Sequence, residues 1–227
     1  MKISSGPFSN PAMVATYADD APRKVPGLAD LHRMAMLLLS ECAKPAAHIL
    51  VVGAGGGMEL KAMAEARLEW TFTGVDPSAA MLDIARHTIQ PFNDRIELIE
   101  GTVGAAQSGP FDGAACLLTL HFLDKRERLS TLQEIHRRLQ PAARLVVAHH
   151  SVPSDGAEHW LARSAAFADR AGVDWEKAKA AAVGMMRLPL LSVDEEEALL
   201  CEAGFSDIEL FYAAFSFRGW VATARSA

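Results

Sequence analysis

The sequence predicts an α/β fold: a seven-stranded, mostly parallel sheet with an antiparallel last strand, helices on both faces, and a helical insertion before a C-terminal hairpin. Short apolar, strand-like runs alternate with helical periods from Ala47 to Ala148. This alternation indicates right-handed βαβ crossovers. The last two strand-like runs are separated by only three residues, so they must pair antiparallel, because a parallel return needs about a dozen.

The parallel part of the sheet is predicted to contain five strands. They are Ala47–Gly53, Thr71–Val75, Arg95–Ile99, Phe111–Leu118 and Arg144–Ala148. Apolar residues recur at spacings of three and four between these runs, which places them on one face of each intervening helix. Leu129 to Leu139 form one such set, and Pro141 is expected to end that helix near Gln140.

The segment before the first strand divides at Pro26-Gly27. A helix is predicted after this pair, whereas Tyr17–Gly27 has no helical period and is expected to be an ordered arm or lid. We therefore expect one domain over residues 1–227, with an N-terminal arm and helix at 1–45.

The C-terminal third contains the predicted insertion, a lid over residues 151–190. Its Ala-rich part, Ser154–Met186, predicts two helices broken at Gly172, with Asp174 as the N-cap of the second. A capping box at Ser192–Glu195 begins the next helix, and Gly204 ends it. The hairpin strands are predicted at Asp207–Ala213 and Phe217–Ala224.

Composition excludes several classes of protein. The net charge of −6 and pI near 5.7 argue against a dedicated nucleic-acid binder. No apolar run approaches the roughly 20 residues of a membrane span, and the N-terminus shows no export or transit signal, so a cytoplasmic protein with no membrane partner is expected. Cys42, Cys116 and Cys201 are expected to be reduced, buried thiols without a disulfide or metal role.

The segment Gly53-Ala54-Gly55-Gly56-Gly57 directly follows the first strand and begins a helix. Glycines there permit a tight turn and let backbone amides approach a ligand. A plain flexible turn is the alternative, but four glycines in five positions argue against it. Met58 stands where a dinucleotide fingerprint needs glycine, and no Gly-Lys-Ser/Thr end follows, so the G-x-G-x-G spacing favours S-adenosylmethionine (SAM).

Asp76 ends the second strand, 19 residues after Gly57. A carboxylate at this place can accept both ribose hydroxyls of a nucleoside cofactor. Alternatively, Asp76 only precedes the helix that Ser78 caps. The glycine segment at the expected distance favours the ribose role.

These residues resemble the class I SAM-dependent methyltransferases over nearly the whole chain. The matching segments are ILVVGAGGG, TGVDPSAAML, ELIEGTV, FDGAACLLTLHFL and LQEIHRRLQPAARLVVAH. The family has a Rossmann-like, seven-stranded sheet with strand seven antiparallel between strands five and six. RKVPGLADLHRM and EAGFSDIELFYAAFSFRGWVAT are similar to the carboxy-SAM synthase branch of tRNA wobble uridine modification, which uses SAM and prephenate.

The resemblance implies a set of cofactor-binding residues. Gly53, Ala54, Gly55 and Gly57 would bind the methionine portion and Asp76 the ribose. The adenine would lie beside Pro77 and between Thr102 and Val103, and Leu117 would offer its backbone near the sulfonium.

Other positions depart from the family pattern. Val51 and Thr102 replace acidic residues, Leu28 and Leu117 replace a tyrosine and an asparagine of the synthase, and Ala181 stands near the place of its carboxylate-binding arginine. A second carboxylate would lack its charged partner, so methyl transfer to a small-molecule acceptor is favoured. The alternatives are a carboxy-SAM synthase-like enzyme and a non-catalytic SAM-binding or scaffold protein.

Three histidines are the catalytic candidates. His121 follows the fourth strand, and His149 and His150 end the fifth, at the sheet edge where open α/β proteins bind ligands. Histidine is the first choice for a general base at neutral pH, although packing or solvent exposure is the alternative. No metal site is predicted.

Two further expectations concern surfaces. The acceptor pocket is expected to be walled by residues of the arm and the insertion, where ordinary packing is the alternative: Tyr17, Arg23, His32, Trp160 and Arg187. The aromatic segment FYAAFSF near the C-terminus could form a homodimer contact.

Overall fold

The computed structural model describes residues 11–153 and 155–226. Its helices are α1 Pro11–Lys24, α2 Leu28–Ser40, α3 Met58–Ala66, α4 Ala79–Thr88, α5 Lys125–His136, α6 Ala157–Ala168, α7 Trp175–Met185 and α8 Val193–Glu202. Its strands are β1 His48–Val52, β2 Thr71–Asp76, β3 Ile96–Glu100, β4 Phe111–Leu117, β5 Leu139–His150, β6 Phe205–Ala214 and β7 Phe217–Ala224.

All seven strands belong to one sheet, in the order β3-β2-β1-β4-β5-β7-β6. The first five pair in parallel, and β7 runs antiparallel between β5 and β6. One apolar layer packs α2 and α3 against the sheet, and the other packs α5 and α8. The predicted fold class is confirmed. The carboxyl ends of β1 to β5 consequently meet at one edge.

The segment from Tyr17 to Gly27 differs from the expected aperiodic arm. Most of it is the second half of α1, and Ala21 and Val25 are buried in the core layer of α2. Asp20 and Lys24 form an exposed ion pair on the outer side of α1. Tyr17, Ala21 and Val25 recur at four-residue spacing and pack in one apolar layer, so the segment does have a helical period. The expectation of an aperiodic segment was wrong, and Pro22 inside the helix is the signal that obscured it.

Pro141 does not end a helix at Gln140. Helix α5 already ends at His136, and Pro141 lies within β5. In the pairing of β4 with β5, Leu139 lies opposite Phe111 and Arg144 lies opposite Gly113. More residues of β5 than of β4 therefore lie between these two pairs. The extra residues of β5 form an irregularity in the sheet, and Pro141 lies within it, where no ladder hydrogen bond is required. Leu139 belongs to the strand instead of the helix.

The C-terminal predictions are confirmed with small shifts of boundary. The Asp174 carboxylate accepts hydrogen bonds from the amides of Glu176 and Lys177 at the start of α7. Ser192 and Glu195 form the capping box of α8. Helices α6 and α7 share a small separate apolar cluster that includes Leu161 and Ala182.

The cysteine expectation is only partly correct. Cys116 is buried in β4, whereas Cys42 and Cys201 are exposed. Cys42 lies two residues beyond the end of α2, and Cys201 lies in the last turn of α8. Among the described residues, no helix is long and apolar enough to cross a membrane.

A buried ion pair joins α5 to α8. The guanidinium of Arg128, fully buried, pairs with the carboxylate of Glu196 and donates to the carbonyl of Pro189 at 2.9 Å. His149 Nε2 lies 2.9 Å from the same carboxylate. The charge of Arg128 is therefore neutralised inside the protein, next to the end of β5.

Replacing Glu196 with alanine is expected to lower the free energy of unfolding by about 3–5 kcal/mol, because Arg128 is left as an uncompensated buried charge. Urea unfolding followed by circular dichroism measures the change. Glu202→Ala, an exposed position at the end of the same helix, is the control and should change stability by less than about 0.5 kcal/mol. Equal losses of unfolding free energy in Glu196→Ala and Glu202→Ala would contradict the role of the buried ion pair.

Candidate functional site

The glycine segment forms a tight turn between β1 and α3. Gly53, Gly55 and Gly57 have φ of 74°, 49° and 77°, in the region that favours glycine. The amides of Gly53 and Ala54 both donate to the carbonyl oxygen of Val75, at 2.9 and 3.0 Å. The turn is therefore fixed to the end of β2.

Close packing is a second reason why position 53 requires glycine. A Cβ at this position would lie 2.0 Å from the Thr119 hydroxyl oxygen, which donates to the carbonyl of Leu117 at 3.0 Å. The absence of a side chain thus lets the chain after β4 approach the β1–α3 turn. This contact brings the ends of the two central strands together.

Asp76 joins the two turns of the site. Its Oδ2 accepts from the Gly55 amide at 2.9 Å, and its Oδ1 accepts from the Ser78 amide at 2.8 Å. Burial raises the pKa of this carboxyl, while the two amides oppose the rise. Ser78 also caps α4, as the alternative reading proposed, by accepting from the Met81 amide at 3.3 Å. The capping role of Ser78 is confirmed, and the ribose role of Asp76 stays a prediction.

Tyr17 lies over the glycine turn, a contact that sequence reasoning did not identify. A Cβ on Gly56 would approach its ring to 2.9 Å, and one on Gly55 would approach its hydroxyl to 3.3 Å. Burial raises the pKa of the phenol above its ordinary value. Helix α1 consequently forms one wall of the crevice above the turn.

The remaining predicted cofactor residues lie along the sheet edge, on both sides of the glycine turn. Pro77 and Thr102 are exposed, and Val103 is buried beneath them. The amide of Gly101 donates to the carbonyl of Asp76 at 3.0 Å, which holds the β3 loop beside the Asp76 turn. These residues lie on adjacent loops, as a shared site requires.

Leu117 ends β4 on the other side of the glycine turn. The next residue, Leu118, has a φ of 57°, which is uncommon for a residue with a side chain. Its amide donates to the carbonyl of Ala148 at 2.6 Å. Such strained backbone is frequent at functional sites. No pattern in the sequence predicts it.

The three candidate histidines lie together but in different surroundings. His121 is 5.0 Å from His150 and 6.5 Å from His149, measured between ring centroids. His149 packs against Trp220 and approaches Glu196, on the α8 side of the sheet. His150, the next residue along the strand, lies on the opposite face.

Among the described residues, His121 Nδ1 and both ring nitrogens of His149 are buried without a hydrogen-bond partner, whereas His150 Nδ1 is bonded to a hydroxyl. His150 Nδ1 is 2.8 Å from the hydroxyl of Ser216, which is 2.6 Å from the hydroxyl of Ser164 on α6. His121 Nδ1 is buried without a hydrogen-bond partner among the described residues. Burial lowers the pKa of His150 to about 4 and that of His121 well below its usual value, so both rings are neutral at pH 7.

The other expected wall residues are dispersed. Arg23 lines a cavity of 220 Å³ together with Lys177 and Ala181, between α1 and the α6–α7 pair. His32 is buried in α2, where desolvation lowers its pKa to about 4. Trp160 carries the guanidinium of Arg163 on its ring, and Arg187 is exposed. Of the five, only Tyr17 touches the glycine turn.

Comparison with known proteins agrees with this geometry. A family model described as a methyltransferase domain matches residues 49–142. The carboxy-S-adenosyl-L-methionine synthase of Chromohalobacter salexigens is 28% identical over 219 residues, covering 92% of this chain and 80% of the relative.

Solved structures show the same fold. A putative O-methyltransferase from Nostoc punctiforme superposes with a TM-score of 0.67 at 20% identity over 94% of this chain. The structure of PigF with S-adenosylhomocysteine (SAH) gives 0.68 at 18% identity over 95% of this chain. This chain spans 60% of the length of each of these two proteins.

Fold and site together define a doubly wound α/β protein with a crevice at the carboxyl edge of its sheet. Residues 49–142 match the methyltransferase domain family, and the chain is similar in sequence to carboxy-SAM synthases and in fold to SAM-dependent methyltransferases, which indicates SAM as the cofactor. The crevice fits such a group, because Ala54 contributes the single side chain of the glycine turn and the Asp76 carboxylate lies beside it, as a cationic cofactor requires.

Replacing Gly53 with alanine is expected to destabilise the protein and abolish SAH binding, because the new methyl group would collide with Thr119 and the positive φ would be strained. Thermal unfolding and calorimetric titration with SAH measure the two effects. Gly184→Ala in α7 is the control: its Cβ would meet nothing within 4 Å, so it should raise stability slightly and leave binding unchanged. Retained SAH affinity in Gly53→Ala would contradict the site.

Proposed function

We propose that this protein transfers the methyl group of SAM to a small-molecule acceptor at the carboxyl edge of its sheet. The observation that carries the proposal is the Asp76 carboxylate, which is locked to the glycine turn by the Gly55 amide. A buried carboxylate beside a glycine-rich turn suits a nucleoside with an attached amino acid. The cofactor supplies an activated methyl group on a cationic sulfur.

The cofactor-binding roles follow the layout of the edge. In this proposal Gly53, Ala54, Gly55 and Gly57 hold the methionine portion, and Asp76 accepts from the ribose hydroxyls. Pro77, Thr102 and Val103 enclose the adenine, while Leu117 presents its backbone to the sulfonium. The lone pairs of Asp76 that the two backbone amides leave unused remain available for the hydroxyls.

His121 and His150 are proposed to face the acceptor, with residues 151–190 as its lid. A neutral imidazole can accept a hydrogen bond from an acceptor hydroxyl or amine and hold it in line for attack. His150 is oriented by Ser216, and His121 has a buried nitrogen available. His149, enclosed by Trp220 and Glu196, is proposed to position its neighbours rather than touch the acceptor.

Carboxy-SAM synthesis is a second candidate, favoured by the similarity to the synthases over 92% of this chain. Against it, Ala181 on α7 carries no charge, although Arg23 and Lys177 line the same cavity. Incubation with SAM and prephenate, followed by mass spectrometry, separates the candidates. Formation of carboxy-SAM would favour the synthase, and its absence alongside methylated product would favour methyl transfer.

We also propose a cytoplasmic location and a homodimer. Strand β6 lies at the edge of the sheet, and its Leu210 is 48% exposed. An exposed edge strand with apolar side chains is suited to pairing with a second copy.

Replacing Asp76 with asparagine is expected to weaken SAH binding roughly 10- to 100-fold, because charge-assisted hydrogen bonds to the ribose are lost. Isothermal titration calorimetry measures the dissociation constant. Asp83→Asn, on the exposed surface of α4, is the control and should bind like the parent protein. No SAH binding by the unaltered protein would refute the proposed function.

Replacing His150 with glutamine is expected to lower kcat roughly 100-fold without changing SAH affinity. Because the pKa of His150 is lowered to about 4, its base form persists as pH falls, so kcat at saturating SAM should stay constant from pH 8 to about 5. Activity is lost only below that range, as the ring becomes protonated.

Steady-state rates with a methyl acceptor test this profile, and His159→Gln on the exposed face of α6 is the control. A loss of activity centred near pH 6.5, the ordinary histidine value, would exclude His150 as the group involved.

A further inference from the structure

A chain of buried hydroxyls connects His150 to helix α6. The Ser216 hydroxyl oxygen lies 2.8 Å from His150 Nδ1 and 2.6 Å from the hydroxyl oxygen of Ser164. The Ser164 oxygen also accepts from the Ser216 amide at 3.2 Å. The three residues are at most 9% exposed, so the hydrogens of the chain are shared among its own members.

The number of hydrogens determines the direction of this chain. Each hydroxyl has one hydrogen to donate, and each of the two side-chain contacts needs one. If Ser164 donates to Ser216 and Ser216 donates to Nδ1, both hydroxyl hydrogens have an acceptor. In the opposite direction Nδ1 donates to Ser216 and Ser216 donates to Ser164, whose own hydrogen then has no acceptor among the described residues.

The cost of an unpaired hydrogen decides between the two directions. A buried hydroxyl without an acceptor is unfavourable, so the direction from Ser164 towards His150 is preferred and Nδ1 carries a lone pair. Because burial lowers the pKa of His150 to about 4, the ring is neutral at pH 7 and its single N–H hydrogen is on Nε2. The hydroxyl chain therefore selects one of the two neutral tautomers of this histidine.

The Nε2 atom of His150 is available to a ligand. It forms no hydrogen bond with a described residue and, unlike Nδ1 of His121, it is not fully buried. The ring is held by stacking on Phe217, with centroids 3.9 Å apart, and by an edge contact with His121. A fixed N–H donor consequently lies at the end of β5, at the edge of the sheet proposed for the acceptor.

A fixed donor at this place distinguishes acceptor atoms by their lone pairs. An atom that attacks the methyl group uses one lone pair for the new bond. A hydroxyl oxygen has a second lone pair that can accept from Nε2, whereas an amine nitrogen has only one. In an amine bound against Nε2, the hydrogen bond would occupy the lone pair that the attack needs.

We infer that His150 donates a hydrogen bond from Nε2 to the oxygen that receives the methyl group, so the acceptor is an alcohol or a phenol and not an amine. The inference rests on the proposed function, because it needs methyl transfer at this edge of the sheet. It makes His150 a specificity-determining donor and leaves His121 to accept from the hydroxyl of the acceptor. Protonation of Nδ1 would displace the Ser216 hydroxyl, so the loss of activity at low pH is still expected.

The transfer step balances with these roles. One lone pair of the acceptor oxygen forms the bond to the methyl carbon, while the bond between that carbon and sulfur breaks and leaves its electron pair on sulfur. The hydroxyl proton passes to the neutral ring of His121. The second lone pair of the oxygen keeps its hydrogen bond with His150, which holds the oxygen in line.

The tautomer is tested by nuclear magnetic resonance on protein labelled with ¹⁵N in its eight histidines. Long-range proton–nitrogen correlation spectra at pH 7 separate the protonated nitrogen of each neutral ring from the unprotonated one. The signals of His150 are those that are missing from His150→Gln. We expect the hydrogen of His150 on Nε2, and a hydrogen on Nδ1 would overturn the inference.

Two serine variants test the hydroxyl chain itself. Ser216→Ala removes the donor, so the Nδ1 signal of His150 should shift while the ring stays neutral. Ser206→Ala, on the same hairpin, removes a hydroxyl that donates to Asp207 and should leave the His150 signals unchanged. Identical His150 signals in Ser216→Ala and the unaltered protein would contradict the chain. The spectrum of the unaltered protein decides the tautomer even if Ser216→Ala fails to fold.

The acceptor atom is tested with SAM that carries a ¹³C-labelled methyl group, incubated with the protein and a small-molecule extract of the cells that produce it. The carbon chemical shift of the product distinguishes a methyl group on oxygen from one on nitrogen or carbon. We expect methylation on oxygen. A product methylated on nitrogen or carbon would overturn this inference alone, whereas no methylated product from the unaltered protein would refute the proposed function.

Discussion

The site depends on one carboxylate that accepts two backbone amides. Asp76 joins the turn after β1 to the turn after β2, through Gly55 on one side and Ser78 on the other. The carbonyl of Val75 adds two hydrogen bonds to the same turn. These contacts hold the crevice in shape from the protein's own groups, so ligand binding does not have to order the turn.

The crevice has two chemically different parts. Beside Gly55 lie two acidic groups, the Asp76 carboxylate and the Tyr17 phenol, which suit a positively charged ligand. Around β5, burial keeps His121 and His150 neutral. A cationic donor and a neutral nucleophile can therefore be placed side by side without repelling the groups that hold them.

The sheet could be predicted because its signals are local: apolar runs, helical spacing, caps and a short hairpin connection. The location of Asp76 and the glycine turn at one edge of the sheet was equally predictable, since it follows from their positions at the ends of two neighbouring strands. The course of α1 was missed although Tyr17, Ala21 and Val25 recur at four-residue spacing, because Pro22 within this stretch argues against a helix. Neither the Tyr17 contact nor the Leu118 backbone has a sequence signature, since both arise from segments that meet only in the folded chain.

The α6–α7 pair is fastened to the sheet lightly, through the hydroxyl contact between Ser164 and Ser216 and a small apolar cluster of its own. Its packing is thus largely independent of the main core. The sequence of such a segment can change without affecting the residues proposed to bind the cofactor. The change would alter which acceptor molecule binds beneath the segment. The α6–α7 pair can therefore be exchanged as a unit, in evolution or by engineering. The condition is that Ser164 is kept, because it contacts Ser216, the hydrogen-bond partner of His150.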